Sequence, residues 1–589
     1  MISSGLENKV ALRLMEFPFT YRKWSPGPLL EALANTPTLG LSDPQVYSPI
    51  HDKFFVLGES NCHVATFNNA WILKDIGDLS GNTLQGCVVT KGDDCTNKRD
   101  AFMKISPLVD PVKFATGKCP GDVDMCRALP VWGDKSVSYP TTSDQDNIPY
   151  VDTFFTYLTS QLLHHHGFIN GLDYYGAVIG KQSNYLYNAI DDIESLEESE
   201  YFNDKHGELF HMDDSIRREV MRHSAVNRPA LDIKEDCTPI SLDVADIGEL
   251  DELTVLRENI VEDASGMEEV MRLTPAADDT GVGETVLQCN DDESEYCSSR
   301  SSDTEAETSD LDDDEGDDEG DGSADDSMSE YDEDAVAYLS MHDYPVQLSF
   351  LEKCERTVDS LLIDEHADLS EGEWESMILQ LLMSLITYQK CFKLTHNDLH
   401  TNNVMYIETQ KPFLYYKVGG RHYKVPTFGK IYKIIDFGRA IYWFRGQKVC
   451  SNSFAPDGDA GGQYNCEPFL VPEKPRLEPN LSFDLCRFAT SLYDCVVGDD
   501  GEEEGDWWPI IKLVLGWCRD DKKRNVLYKS NGEERYPDFK LYKMIARTVH
   551  EHVPEKVLQC PLFNAYVVGR KTINKSQKIM NIDTLPIYA

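Results

Sequence analysis

An α+β fold interrupted by a long acidic insert is the class this sequence predicts, and three observations point to it. Strand-like runs such as Ala101–Ile105 and Val346–Leu351 occur beside helical patterns, above all Glu371–Lys390 with apolar residues at i, i+3 and i+4. A polar loop, His396-Asn397-Asp398-Leu399-His400-Thr401-Asn402-Asn403, precedes a hydrophobic strand that ends in Asp436-Phe437-Gly438. Between the two groups, residues 290–334 are almost only Asp, Glu, Ser, Gly and Thr, with Arg300 as the one basic side chain. Such a segment cannot bury enough apolar surface to offset chain entropy and is expected to stay disordered.

Composition narrows the function classes. A chain of 589 residues has ample length for a core. Its net charge of −47 argues against nucleic acid and acidic membrane surfaces as partners. The sixteen cysteines form no C-x-x-C pair, and Met1 to Phe17 lacks the apolar stretch of a signal peptide, which fits reduced thiols in a cytosol-like compartment. Cys87, Cys95, Cys119 and Cys126 come nearest to a zinc cluster, at spacings that fit no standard knuckle. No apolar run reaches membrane-spanning length, and the richest, Met377 to Ile386, reads as a core helix.

The elements follow in chain order. Phe54 to Val64 reads as strand, turn, strand, with Gly58 and Ser60 in the turn; an ordinary hairpin and a phosphate-covering loop both fit it. Ala101-Phe102-Met103-Lys104-Ile105 is a strand in which Lys104 is either a solvated edge residue or a phosphate ligand. Val151 to His165 reads as a helix without any Glu; Asp152 is its early carboxylate. In the insert, Ser309, Ser323 and Ser329 precede carboxylates, so that the segment is either a solvated spacer or a phosphorylated one. After Val346–Leu351, Thr357 is placed to cap a helix, and the 371–390 helix delivers the chain into the polar loop. Val404–Glu408 and Ile431–Ile435 read as paired strands around a hairpin turning at Gly419-Gly420. A Gly-, Asn- and Pro-rich stretch, Gly438 to Glu473, ends in Val471-Pro472-Glu473. Asp484 lies eleven residues further on, and Trp507, Trp508 and Trp517 read as core.

The loop and the Asp-Phe-Gly strand together carry the chemistry of metal-assisted phosphoryl transfer from ATP. Matched to the patterns H-R-D-x-x-x-x-N and D-F-G, Asp398 is expected to orient an attacking hydroxyl and take its proton late, and Asn403 and Asp436 to hold Mg²⁺. Phe102–Pro107, Thr395–Asn403 and Lys433–Ala440 resemble the corresponding segments of protein kinases, in particular the serine/threonine protein kinases of large nucleocytoplasmic DNA viruses such as iridoviruses and giant viruses. The resemblance covers about residues 50 to 500 without the insert.

That resemblance implies a two-lobed protein-kinase-like fold: an N-terminal extension (1–49), a β-rich N-lobe (50–192), the insert (193–341), the last N-lobe strand and hinge (342–354), a mostly helical C-lobe (355–560) and a tail (561–589). It implies ATP and Mg²⁺ as cofactors, with Gly58, Ser60, Lys104 and the hinge backbone of Glu352 and Cys354 on the nucleotide. Asp398, His400 and Lys104 are then catalytic, and Asn403 and Asp436 metal ligands. Asp484 is implied to hold the catalytic-loop backbone. Protein hydroxyls are the implied acceptors, autophosphorylation included, and the host cytoplasm and the virion the implied locations. Three departures stand out. Asp152 replaces the usual helix Glu. His400 stands where a Lys is usual and recurs in small-molecule kinases, which leaves a small-molecule phosphotransferase as one alternative; the single loop glycine and the missing helix Glu leave a nucleotide-binding pseudokinase scaffold as another. Asn397 replaces the Arg that pairs with an activation-segment phosphate, so that activity is expected not to need one.

Overall fold

The computed structural model describes residues 16–91, 95–119, 122–212, 337–363, 369–497 and 507–589. Its strands before the polar loop are β1 (Tyr21–Lys23), β2 (Leu41–Gln45), β3 (Ala65–Phe67), β4 (Ile72–Asp75), β5 (Asp78–Ser80), β6 (Thr83–Lys91), β7 (Cys95–Pro107), β8 (Tyr174–Asn188), β9 (Phe210–Met212) and β10 (Tyr338–Glu352). Most of them form one curled antiparallel sheet in the order β2-β8-β10-β7-β6-β4, with β5 added to β6 and β9 to β10. The central β10 is paired on both sides and buried from Tyr344 to Leu351, as its near-continuous apolar run requires. On β7 the alternation buries Ala101 and Met103 and turns Phe102 and Lys104 to the other face. The fold is therefore mixed α+β, as expected.

Two helices carry the core. The first, α1 (Ile148–Gln161), starts on a Pro at its second position and is buried on nearly every face. It is docked on β10 by Gln347 Nε2, which donates to Pro149 O at 2.7 Å and to Thr153 Oγ1 at 2.7 Å, and by the Thr153–Ser349 hydroxyl pair at 2.8 Å. The second, α2 (Glu371–Phe392), begins where the Glu373 carboxylate accepts from Ser370 N and Oγ, and ends at Lys393 in the left-handed region. Phe155 of α1 meets Tyr388 and Phe392 of α2, joining the sheet's helix to the rest of the core.

After the polar loop come β11 (Val404–Glu408), β12 (Phe413–Val418), β13 (Arg421–Pro426) and β14 (Lys430–Ile434). β11 pairs β14, and β12 and β13 form the hairpin expected at Gly419-Gly420. Then follow α3 (Phe483–Val497) and α4 (Lys540–Thr548). Among the described residues no helix is long and apolar enough to cross a membrane.

Several expectations need correction. The Phe54–Val64 strand–turn–strand is absent: Ile50–Phe54 is a short helix and 58–64 a set of turns. Phe54 stacks on Phe154 at 4.3 Å and Phe55 on Phe19 at 5.3 Å, so an aromatic cluster, not a sheet, takes up this apolar pair. The described chain runs past the expected start of the insert, with helices at Ile193–Glu198 and Glu200–Lys205. It resumes before the expected end, because β9 and β10 pair there. Residues 213–336, with Ser309, Ser323 and Ser329, lie outside the described residues. Residues 16–49 and 561–589 pack on the rest of the chain. β2 joins the main sheet, Phe17 N donates to the Tyr588 hydroxyl at 3.1 Å, and Asp583 accepts from Gly419 N and Gly420 N. Trp517 is core, whereas Trp508 is 41% exposed. Among the described residues no three His, Cys, Asp or Glu side chains are gathered to hold a metal, which leaves the four cysteines without a cluster.

One buried group makes stability depend on pH. His51 packs edge-on to Phe67 at 4.9 Å, and burial pushes its pKa down to about 4. Between that value and the ordinary 6.5 the unfolded chain binds the proton and the folded chain does not, so stability is full above pH 6.5 and is lost as pH falls toward 4, by about 3 kcal/mol. Thermal unfolding between pH 7.5 and 4.5 is expected to show this loss, and His51→Phe to reduce it.

Candidate active site

Lys104 is the point where three separate elements meet. From β7 its Nζ lies 2.7 Å from Asp152 Oδ2 of α1 and 2.9 Å from Asp436 Oδ1. Asp152 is not only a partner for Lys104: its Oδ1 accepts from Phe437 N at 2.7 Å, so the same carboxylate ties the helix to the Asp-Phe-Gly segment. Burial works against the Lys104 charge, but the Asp152 and Asp436 carboxylates outweigh it and raise the lysine above its ordinary pKa. Burial raises Asp152, the more enclosed carboxyl. Burial also opposes the charge on Asp436, yet Lys104 outweighs it and holds that carboxyl low, ionised at neutral pH.

The polar loop is built from its backbone outward. Buried Asp484 of α3 accepts from His396 N at 3.0 Å and Asn397 N at 2.9 Å. Those bonds hold Asn397 at φ +66°, a conformation Asn tolerates better than most residues. Asn397 Nδ2 donates to Thr395 O and Arg439 O, and its Oδ1 accepts from the Tyr464 hydroxyl at 2.7 Å. Neutral hydrogen bonds thus fasten the 438–473 stretch to the loop. Ser451 and Ser453 are buried there and bonded to each other.

Asn403 Nδ2 donates to Asp398 O at 2.8 Å and to His400 Nε2 at 3.0 Å. That commits its nitrogen and leaves the amide oxygen as the atom available to a cation. Asn403 O accepts from Ile435 N at 3.0 Å, which joins the loop to the strand carrying Asp436. The Asp436 side chain is 46% exposed beside them. An amide oxygen and a partly open carboxylate are hard ligands that suit Mg²⁺, which takes few protein ligands and completes its shell with water or phosphate. His400 does not fit a cationic role. Burial lowers its pKa, and its Nε2 is the acceptor for Asn403, so the ring is neutral. The cation near Asp398 is instead Arg439, with Nη1 3.9 Å from Asp398 Oδ1 and Nη2 2.6 Å from Asp459.

The structure thus brings Lys104 together with Asp436, and Asp398 with His400 and Asn403. Gly58 and Ser60 are not part of this arrangement. Gly58 N bonds the Asn61 side chain within its own turn, and the following β3 pairs with β1 in a separate two-stranded sheet. A glycine hairpin stands in the place expected of them: Asn82, between β5 and β6, accepts from Met103 N at 2.8 Å, next to Lys104. Gly77 and Gly81 there have φ near +60°, and a Cβ on Gly77 would meet Gln85 O at 2.2 Å. Gly77, Gly81 and Gly86 ahead of the lysine strand were the sequence signal for this hairpin.

Glu352 closes β10, and its carboxylate accepts from buried Lys433 Nζ at 2.5 Å and from Asp173 N. Cys354 is buried beyond it, and burial raises its thiol to about 12. No family model matches the chain, and no curated protein matches it either.

Tyr464→Phe would leave the buried Asn397 Oδ1 without its donor. Denaturant unfolding is expected to show a loss of about 1–2 kcal/mol.

Proposed function

We propose that the chain is an ATP-dependent serine/threonine protein kinase. The observation that carries this reading is Lys104 held at once by Asp152 and Asp436, with Asp398 and Asn403 tied to the same strand. A structural ion pair has no need of a second, partly open carboxylate, an oriented amide oxygen and a further partly exposed Asp nearby; phosphoryl transfer needs all of them.

In this reading the curled sheet with α1 is the small lobe, the chain from α2 onward the large one, and ATP lies between them. Lys104 holds the α- and β-phosphates. The backbone N–H groups of the Gly77–Gly86 hairpin, rather than Gly58 and Ser60, cover the phosphates. The 352–354 segment offers its backbone to the base. Asn403 and Asp436 would hold Mg²⁺, which would supply positive charge to the phosphate oxygens. Asp398 accepts the hydrogen bond of the acceptor hydroxyl, directs it at the γ-phosphorus and takes its proton as the new O–P bond forms, while the bond from the γ-phosphorus to the β,γ-bridging oxygen breaks and ADP leaves. Arg439, not His400, supplies the nearby positive charge. Asp152 fills the part of the absent helix Glu.

Because Tyr464 and Asn397 already hold the 438–473 stretch without charge, activity is independent of phosphate on it. Phosphatase treatment, Ser451→Ala and Ser453→Ala are each expected to leave kcat within about twofold.

The test is transfer of radiolabelled γ-phosphate from MgATP to casein, a histone mixture and the chain itself. Signal on Ser or Thr is expected, falling about a thousandfold in Asp398→Asn. Transfer confined to small-molecule hydroxyls would replace the reading with a phosphotransferase. Nucleotide binding without any transfer would replace it with a scaffold.

A further inference from the structure

Asp398 has a neighbour that no motif announces. The hydroxyl of Tyr542, on α4 and 144 residues away in sequence, donates to Asp398 Oδ1 at 2.8 Å. That hydroxyl accepts in turn from Arg487 Nε of α3 at 2.9 Å. The Tyr542 ring lies stacked on Phe539 at 5.3 Å, with the Arg487 and Arg439 guanidinium groups 5.1 and 5.7 Å from its centroid. Burial raises the phenol's pKa and the Asp398 carboxylate adds to that, against the opposing pull of Arg487, so the group stays a donor.

Two arrangements would explain such a contact. A tyrosine in the acceptor's place would act as a plug, and a plug must be able to leave. Tyr542 is instead held by an aromatic ring and two guanidinium groups, one of which also donates to its hydroxyl, and the Asp398 side chain remains 24% exposed despite it. The hydroxyl and Arg439 both approach Oδ1, which leaves Oδ2 for the acceptor. We infer that Tyr542 is a positioning residue: it fixes the Asp398 carboxylate with Oδ1 turned to the protein and Oδ2 to the acceptor hydroxyl, and Arg487 acts through it. This rests on the kinase reading and adds to it a residue from α4.

The inference is tested by steady-state transfer from MgATP to casein with the full chain, Tyr542→Phe, Arg487→Met and the double variant, each alongside its thermal midpoint. Tyr542→Phe keeps the ring and removes only the donor. Its kcat is expected to fall about tenfold with KM for ATP unchanged and the midpoint within about 2 °C. Arg487→Met is expected to lower kcat several-fold and to add nothing to Tyr542→Phe, because it works through the same hydroxyl. Tyr542→Phe at wild-type kcat would overturn the inference, a raised kcat would make the residue a plug, and a loss matched by a falling midpoint would make it merely structural. If Tyr542→Phe does not fold, an unchanged kcat in Arg487→Met overturns it instead. A wild-type chain without transfer overturns the kinase reading and the inference falls with it, whereas the other failures leave that reading standing.

Discussion

The Lys104 ammonium, shared between Asp152 and Asp436, is the contact on which the arrangement of this molecule depends. It joins a sheet strand, the buried helix α1 and the Asp-Phe-Gly segment, which sequence alone does not bring together. Removing one partner from an enclosed set of charges leaves the others uncompensated, at a cost of about 3–5 kcal/mol where the site is fully buried and less here, where Lys104 is partly open. Asp is one methylene shorter than Glu, and the structure shows how the shorter side chain reaches. Gln347 and Ser349 of β10 bond Pro149 and Thr153 near the start of α1, drawing that part of the helix onto the sheet. Asp152 lies between those two anchors. Its second oxygen then takes Phe437 N, so one residue fixes both helix and loop.

A second interlock is uncharged. Asp484 fixes the backbone of the polar loop, Asn397 bonds Arg439 O, and Tyr464 bonds Asn397. Where an Arg at position 397 would call for an anionic partner, an amide accepts a phenol. A loop fastened in this way is less sensitive to salt and to modification than one fastened by charge. Positive charge is kept elsewhere, in Arg439 and Arg487, both stacked on the Tyr542 ring.

What was legible in the sequence follows the range of the interactions involved. Asp398, Asn403 and Asp436 sit in motifs whose spacing is fixed by a local turn and strand, and Lys104 in a strand with clear alternation. The mixed fold, the Gly419-Gly420 hairpin and the role of Asp484 as a backbone anchor were readable on the same basis. The glycine hairpin was missed because its flanking strands are short and polar, with Asp75, Asp78 and Ser80 in them, whereas Phe54-Phe55 gave a stronger strand signal that an aromatic cluster in fact uses. His400 was assigned by position in a motif, and burial together with the Asn403 amide decides its charge instead. Arg439, Asp459 and Tyr542 reach Asp398 and one another across tertiary packing, for which a single sequence has no periodicity to offer. The pairing of β2 and the Phe17–Tyr588 contact are likewise long-range and had no signal in the sequence.

The most direct measurement is kcat for MgATP-dependent transfer by Asp152→Asn. Asn keeps its one oxygen for Phe437 N, turns an NH₂ toward Lys104 in place of the second oxygen, and removes the charge. The account predicts a loss of about a hundredfold with the fold retained. A kcat within twofold of the wild type would show that the Lys104–Asp152 pair serves packing alone, and would contradict it.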